Sequence, residues 1–124
     1  ILDNDNHQDS EKGKDGNRKA GSLYDLIPAD PQNTKSYGEW NQITIRVVDG
    51  YVEHIQNGEK ILEYNLWSQE WVDLLSESKF SVDKWTDAFY LMSSAGGKER
   101  KGYFGFQDHG NDVWFRNIRI KKIR

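Results

Sequence analysis

The sequence predicts an all-β sandwich, and three observations predict it. Ile43, Ile45 and Val47 alternate with Gln42, Thr44 and Arg46 between Trp40 and Val48, the period of a half-buried strand. Asn57-Gly58 separates two strand-like runs, Tyr51 to Gln56 and Glu59 to Tyr64. That pair is the one favoured in a two-residue type I′ hairpin turn, whose central residues both need positive φ. Only one stretch, 68–77, has clear helical spacing, with Trp71, Leu74 and Leu75 on one side and Ser68 as its N-cap. Short strands joined by turns, with one short helix, make a sandwich rather than an α/β fold.

The other elements follow in chain order. Residues 3–22 are dense in Asp, Asn, Lys and Gly without apolar periodicity, and are expected to form a long polar loop. A short apolar segment, Ser22 to Ile27, ends at Pro28 and Pro31, and residues 28–38 form a second loop. Asp49-Gly50 marks a turn. Phe80 to Met92 fits neither period, and Ser93 to Lys101 is a Gly-rich charged loop. Gly102 to Gln107 reads as a strand, Asp108 to Asp112 as a turn and Val113 to Ile120 as a final strand. This gives about five or six strands, against about eight in a jelly roll.

Composition bounds the function classes. The 124 residues are expected to form a single domain over 1–124. Aromatic residues reach 13%, more than a disordered chain carries. With no Cys there is no disulfide scaffold, Cys-based zinc site or thiol nucleophile. No window approaches the ~20 apolar residues of a membrane span, and a net charge of −3 does not suggest nucleic acid as a partner. Ile1-Leu2-Asp3 opens as though entering the end of a strand. The expectation is a mature or truncated piece, with any export signal outside it.

Several side-chain groups can carry chemistry. Gln107-Asp108-His109-Gly110 closes a predicted strand. Imidazole beside carboxylate and amide suits proton transfer or metal ligation, and the same residues also suit a plain polar turn. Arg116 lies in the following strand, where a guanidinium can clamp a carboxylate or a polarised oxygen. His54 lies on a strand whose two faces, Val52-His54-Gln56 and Tyr51-Glu53-Ile55, are both mixed, so neither is marked as buried. Glu39 is a candidate acid or base, and Trp40 a candidate sugar platform. Asp3, Asp5 and His7 have alternate spacing suited to a divalent metal ion, or to a solvated turn. Gly-x-Ser-x-Gly is absent. Ala95-Gly96-Gly97-Lys98 is not a phosphate loop, and Glu70, Asp73 and Glu77 do not have the spacing of the carboxylates in jelly-roll glucanases.

Seven segments occur in a familiar order. They are Ile1-Leu2-Asp3-Asn4 with His7, Ala20-Gly21-Ser22-Leu23-Tyr24-Asp25-Leu26, Gly38-Glu39-Trp40-Asn41, Val52-Glu53-His54 with Asn57-Gly58, Ser78-Lys79-Phe80, Gly105-Phe106-Gln107-Asp108-His109-Gly110 and Phe115-Arg116-Asn117-Ile118. Together they resemble the 3-keto-disaccharide hydrolase domain family along the whole chain. The segment between Phe80 and Gly102 departs from the family pattern by extra residues.

The resemblance implies a concanavalin A-like jelly-roll sandwich of which this chain is the C-terminal part, the missing strands lying on another segment or chain. It implies a carbohydrate substrate oxidised at C3, and a periplasmic, cell-surface or secreted setting. A C3 ketone acidifies the C2 proton, so a base can remove it and the C1 leaving group can depart by elimination, with or without later hydration. On this reading His109 is the expected base, and Arg116 or a metal stabilises the enolate. Asp108, Glu39 and His54 are the candidate acids or ligands, and Gln107, His54, Trp40 and Tyr24 bind substrate. The alternative is a non-catalytic carbohydrate-binding module on the same sandwich.

Overall fold

The computed structural model describes residues 4–123. At its centre is a three-stranded antiparallel sheet in the order β1 (Ile43–Val48), β2 (Tyr51–Gln56), β3 (Glu59–Asn65). Both connections are tight. Asp49 and Gly50 have φ of 49° and 87°, and Asn57 and Gly58 have 52° and 87°, as type I′ geometry requires. Gly50 has a second reason to be glycine, since a Cβ there would lie 2.5 Å from the Trp67 ring.

The register divides the sheet into two unlike faces. Ile43, Ile45 and Val47 stand beside Gln56, His54 and Val52, and His54 and Val52 stand beside Leu62 and Tyr64. This inner face is covered over β2 and β3. The outer face is polar: Arg46 pairs with Glu53 at 2.8 Å, Tyr51 donates to Glu63, and Lys60 pairs with Glu63. The irregularity beside His54 leaves Ile61 as an extra residue on β3, and Ile61 and Leu62 are both buried. A bulge of this kind lets one strand turn two successive side chains inward.

Helix α1 (Gln69–Glu77) starts where its sequence says it should. The Ser68 hydroxyl accepts the Trp71 N–H at 3.1 Å and donates to the Asn65 carbonyl, which joins the helix start to the end of β3. Trp71 and Leu75 are buried with Leu26, and Tyr64 stacks on Trp71 at 5.4 Å. This cluster is the core, built from the apolar stripe of α1, the inner face of β3 and the segment from Leu23 to Ile27.

Polar residues seal the other end of the inner face. Gln56 is 1% exposed. Its amide nitrogen donates to Asn33 Oδ1 and Thr34 Oγ1, both at 2.9 Å, and Asn33 Nδ2 returns a bond to the Gln56 carbonyl at 2.8 Å. Asn57, in the turn, donates to the Asn33 carbonyl and to Asn41 Oδ1, and accepts from the Gln42 N–H. The loop of residues 28–42 is thereby sewn to the β2–β3 hairpin through side-chain amides.

Two expectations from the sequence are corrected. The stretch from Phe80 to Met92 contains a second helix, α2 (Thr86–Ser93), with a Trp85 N-cap that makes no side-chain capping bond. Its closing turns are held from outside, where Trp71 Nε1 donates to the Met92 carbonyl and Trp67 Nε1 to the Ala95 carbonyl, both at 2.8 Å. The segments 102–107 and 113–120 are not strands. They meet through Phe106 and Phe115, with ring centroids 4.6 Å apart, but no backbone ladder joins them to the sheet or to each other among the described residues. An apolar–polar alternation becomes a strand only where a neighbour takes its N–H and C=O groups. Asn117, at φ 55°, also interrupts the alternation of the last segment. No helix is long and apolar enough to cross a membrane among the described residues.

Replacing Gln56 by Met keeps the approximate volume but leaves Asn33 Oδ1 and Thr34 Oγ1 without their buried donor. A loss of about 1–3 kcal/mol in unfolding free energy is expected, read from the shift of the urea transition at constant slope.

Candidate active site

The structure settles which side of β2 faces the interior. Glu53 points to the outer face and pairs with Arg46. His54 points to the inner face, where its Nδ1 lies 3.0 Å from the Gly21 carbonyl oxygen. A carbonyl can only accept, so Nδ1 carries the hydrogen and Nε2 is left with its lone pair. The ring packs edge-on against Tyr64, with centroids 5.8 Å apart. Burial lowers the His54 pKa below the usual imidazole value, with the Gly21 bond acting in the opposite, weaker direction. The same burial raises the Tyr64 phenol.

Gly21 can make this contact because it is glycine. Its φ is +84°, and a Cβ would lie 2.5 Å from Ile61 Cδ1 and 2.9 Å from Gln56 Oε1. The backbone therefore presses onto the sheet at a distance that no other residue allows. On the β1 side the cover stops. Val52 on β2 is 2% exposed, whereas Ile43, Ile45 and Val47 on β1 are 50%, 56% and 49% exposed. His54, register partner of Ile45, stands at the border between the covered and the open part of the inner face.

The second assembly is Trp40 with Arg116. The guanidinium carbon lies 3.9 Å from the centroid of the Trp40 ring, so one face of the indole is taken by the cation. Among the described residues no carboxylate pairs with Arg116, which leaves its donors free. The fold thus brings these two predicted site residues into contact.

The remaining candidates are more dispersed. Asp108 Oδ1 accepts the Gly110 N–H at 2.9 Å, the polar turn that the sequence also allowed. Gln107 and His109 are exposed on the same turn. Among the described residues His109 makes no hydrogen bond or ion pair with Glu39, Asp108 or Arg116. Glu39 is exposed, and its backbone N–H caps a turn at Ser36. Tyr24 has cations over its ring, Arg18 at 5.3 Å and Lys79 at 4.4 Å, while Arg18 is held by Asp25 at 2.6 Å.

Of the proposed metal ligands, Asp3 lies outside the described residues. Asp5 lines a polar cleft of about 600 Å³ with Asn4, Glu11, Asp15, Lys19 and Gln32. His7 accepts the Asp9 N–H through Nδ1 at 3.2 Å, so that nitrogen is not available to an ion. No group of three or more His, Cys, Asp or Glu side chains converges as a metal requires among the described residues.

The role of Gly21 was not legible beforehand, although it stands inside one of the ordered segments. No local pattern announces that its carbonyl meets a histidine 33 positions away. The lowered His54 pKa has a consequence for stability. Below about pH 6.5, the usual imidazole value, the unfolded chain binds a proton that the folded chain resists. Stability from this residue is thus present above that value and is lost as pH falls through the folded pKa. The urea midpoint should fall more steeply between pH 7.5 and 5.5 in the parent protein than in His54→Asn. Equal slopes in the two proteins would contradict this.

Comparison with known proteins places the chain. A family model for the 3-keto-alpha-glucoside-1,2-lyase-like domain matches residues 1–121. A curated protein of Bacteroides thetaiotaomicron named 3-keto-disaccharide hydrolase is 59% identical over 123 residues, covering 99% of this chain and 42% of that protein. The chain therefore spans less than half the length of this relative. A crystal structure from Parabacteroides distasonis, provisionally titled a glycosyl hydrolase, is similar at a TM-score of 0.50 and 33% identity over 59% of this chain and 35% of that one. With its match running through both the sheet and the loops around His54 and Trp40, the chain belongs to the 3-keto-alpha-glucoside-1,2-lyase-like domain family.

Proposed function

We propose that the protein cleaves glycosides whose sugar carries a ketone at C3, by removing the C2 proton and expelling the C1 substituent. The observation that carries this reading is the family match over residues 1–121. The names of the relatives, a 3-keto-disaccharide hydrolase and a glycosyl hydrolase, support glycoside cleavage as the general activity.

The chemistry needs few groups. A base takes the C2 proton, and the C–H electron pair is held as an enolate on the C3 oxygen. The pair then forms the C1=C2 bond as the C1–O bond breaks, and the leaving oxygen receives a proton. Water added later across the double bond completes a net hydrolysis. In this scheme the free guanidinium of Arg116 is aimed at enolate charge, and the uncovered face of Trp40 supports the sugar ring. Gln107 and Tyr24 contact hydroxyl groups. His109 serves as the base, and Asp108 or Glu39 delivers the leaving-group proton.

The setting belongs to the same proposal. The substrate class suits a periplasmic or cell-surface location. The half-exposed apolar row of β1 suits a jelly roll completed by strands from another segment or chain. The exposed Trp40 favours carbohydrate binding without catalysis as the second reading.

A 3-keto-glucoside incubated with the intact protein in D₂O decides between them by NMR. Deuterium at C2 or release of the aglycone is the expected result. Sugar-induced shifts without exchange or cleavage would establish the binding module instead. Arg116→Gln should lower turnover by about 100-fold or more, as loss of one donor to a developing oxyanion does, with the urea transition unmoved.

A further inference from the structure

We infer that the cations beside Tyr24 form an anion subsite, in which Arg18 and Lys79 bind a carboxylate carried by the glycoside. This deepens the proposed function, which gives Tyr24 to the substrate, and rests on it for the identity of the ligand.

Two stretches remote in sequence meet here, the turns from Arg18 to Asp25 and the residues that follow α1. Asp25 joins them. Its Oδ1 accepts from Arg18 Nε at 2.6 Å, and its Oδ2 accepts the Lys79 N–H at 3.3 Å. Its own N–H donates to the Asn17 carbonyl at 3.0 Å, from a left-handed backbone conformation with φ 65°. A single carboxylate thus fixes where both cations stand. Arg18 Cζ lies 5.3 Å and Lys79 Nζ 4.4 Å from the centroid of the Tyr24 ring, and Lys79 Nζ lies 5.1 Å from that of Phe80.

The donors are held but not spent. The Arg18 side chain is 19% exposed, and only its Nε–H is taken by a carboxylate. Its terminal nitrogens have no partner among the described residues. Neither is sealed from solvent, since Ser10 Oγ is the one side-chain atom buried without a partner among those residues. They therefore open at the surface. The Lys79 ammonium makes no ion pair or hydrogen bond among the described residues. An aromatic face attracts a cation without supplying an oxygen acceptor. A guanidinium set in place by one carboxylate, with the rest of its fork outward, is shaped to receive a second.

Charge selects the ligand. Arg18 and Lys79 are positive and Asp25 is negative, which leaves a local excess of one positive charge on a chain of net charge −3. Asp9, the next carboxylate to act on Arg18, is engaged by Lys12 at 2.9 Å. A singly charged carboxylate neutralises the excess, whereas a phosphate dianion overshoots it. The Tyr24 ring is partly exposed, so the carrier of that carboxylate can rest beside it. The carboxylate belongs either to the sugar, as in a uronic acid, or to the aglycone.

Two matched pairs of probes test the subsite and separate these sources, with affinities for the intact protein read by NMR titration at pH 7.5. Methyl glucuronide against methyl glucoside puts the carboxylate on the sugar. 4-Carboxyphenyl glucoside against phenyl glucoside puts it on the aglycone. In at least one pair the acidic member should bind about 10-fold or more tighter, the range of a hydrogen bond to a charged group, and added salt should erode that advantage. Lys79→Gln removes the ammonium and keeps the backbone N–H on Asp25. It should lose most of the advantage, keep its affinity for the neutral probe and unfold at the parent's urea midpoint, while Lys79→Arg keeps the advantage. A merely structural lysine would move the midpoint and leave the acid preference alone. Equal binding within both pairs, or no binding of either acidic probe, would overturn the subsite. So would an acid preference that survives both Lys79→Gln and Arg18→Gln. Should Arg18→Gln fail to fold, Lys79→Gln alone carries the decision. These readings are separate from turnover. Cleavage of a 3-keto-glucoside without acid preference sinks the subsite and spares the proposed function. Acid preference in a protein that neither exchanges nor cleaves does the reverse, and makes the subsite part of a binding module.

Discussion

The fold depends on one reciprocal contact, the buried amide pair of Gln56 and Asn33. A side-chain amide on the inner face of a sheet is costly unless all its groups are matched. Here Gln56 satisfies Asn33 and Thr34 through its side chain, and Asn33 satisfies the Gln56 carbonyl in return. That closure brings the long loop down on β2. Its consequences spread in both directions along the loop. Gln32 reaches the Ala20 carbonyl, Asp30 N–H bonds Ile61, and Gly21 is set against the sheet beside His54. Apolar packing alone would not choose this register, since Ala20 and Ala29 are small and interchangeable in shape. Amide geometry does choose it, because each bond has a direction.

The same sheet carries two environments in adjacent strands. Over β2 and β3 the inner face is dry and packed by Trp71, Leu75 and Leu26. Over β1 it is apolar but open. A titratable side chain at the seam of two such regions is desolvated on one side and accessible on the other, a condition that neither a core position nor a surface position provides. His54 has that position. Trp40 and Arg116 form a second assembly, aromatic and cationic, just ahead of β1 in the chain on the Trp40 side.

How much of this was readable beforehand follows from where each determinant lies. The two hairpins were legible because Asp49-Gly50 and Asn57-Gly58 encode their turns locally. Helix α1 was legible because Ser68 and the Trp71, Leu74, Leu75 stripe are local signals. Helix α2 was not, since its first turn has no side-chain cap and part of what holds its end comes from Trp67 and Trp71. The segments 102–107 and 113–120 had the right alternation for strands, but alternation states only what a strand would bury, not whether a neighbour is there to pair with it. At the site, Trp40 and Arg116 were nominated from their types, and the fold brings them into contact. Which face of β2 is inward was undecidable from its mixed pattern, since the deciding partners, Gly21 and Asn33, lie more than twenty residues away.

The two indole bonds to the end of α2 have a meaning for assembly as well as for packing. An eight-residue helix without a side-chain cap at its start is too short to persist by itself in water. α2 becomes worth forming only once Trp71, on α1, stands in place to donate to the Met92 carbonyl and Trp67, at the end of the sheet, to donate to the Ala95 carbonyl just past the helix. Order in this chain thus travels outward from the hairpins. The middle of the sequence acts as a template, and α2 is a borrower of structure, so its helicity reports on whether the sheet has closed.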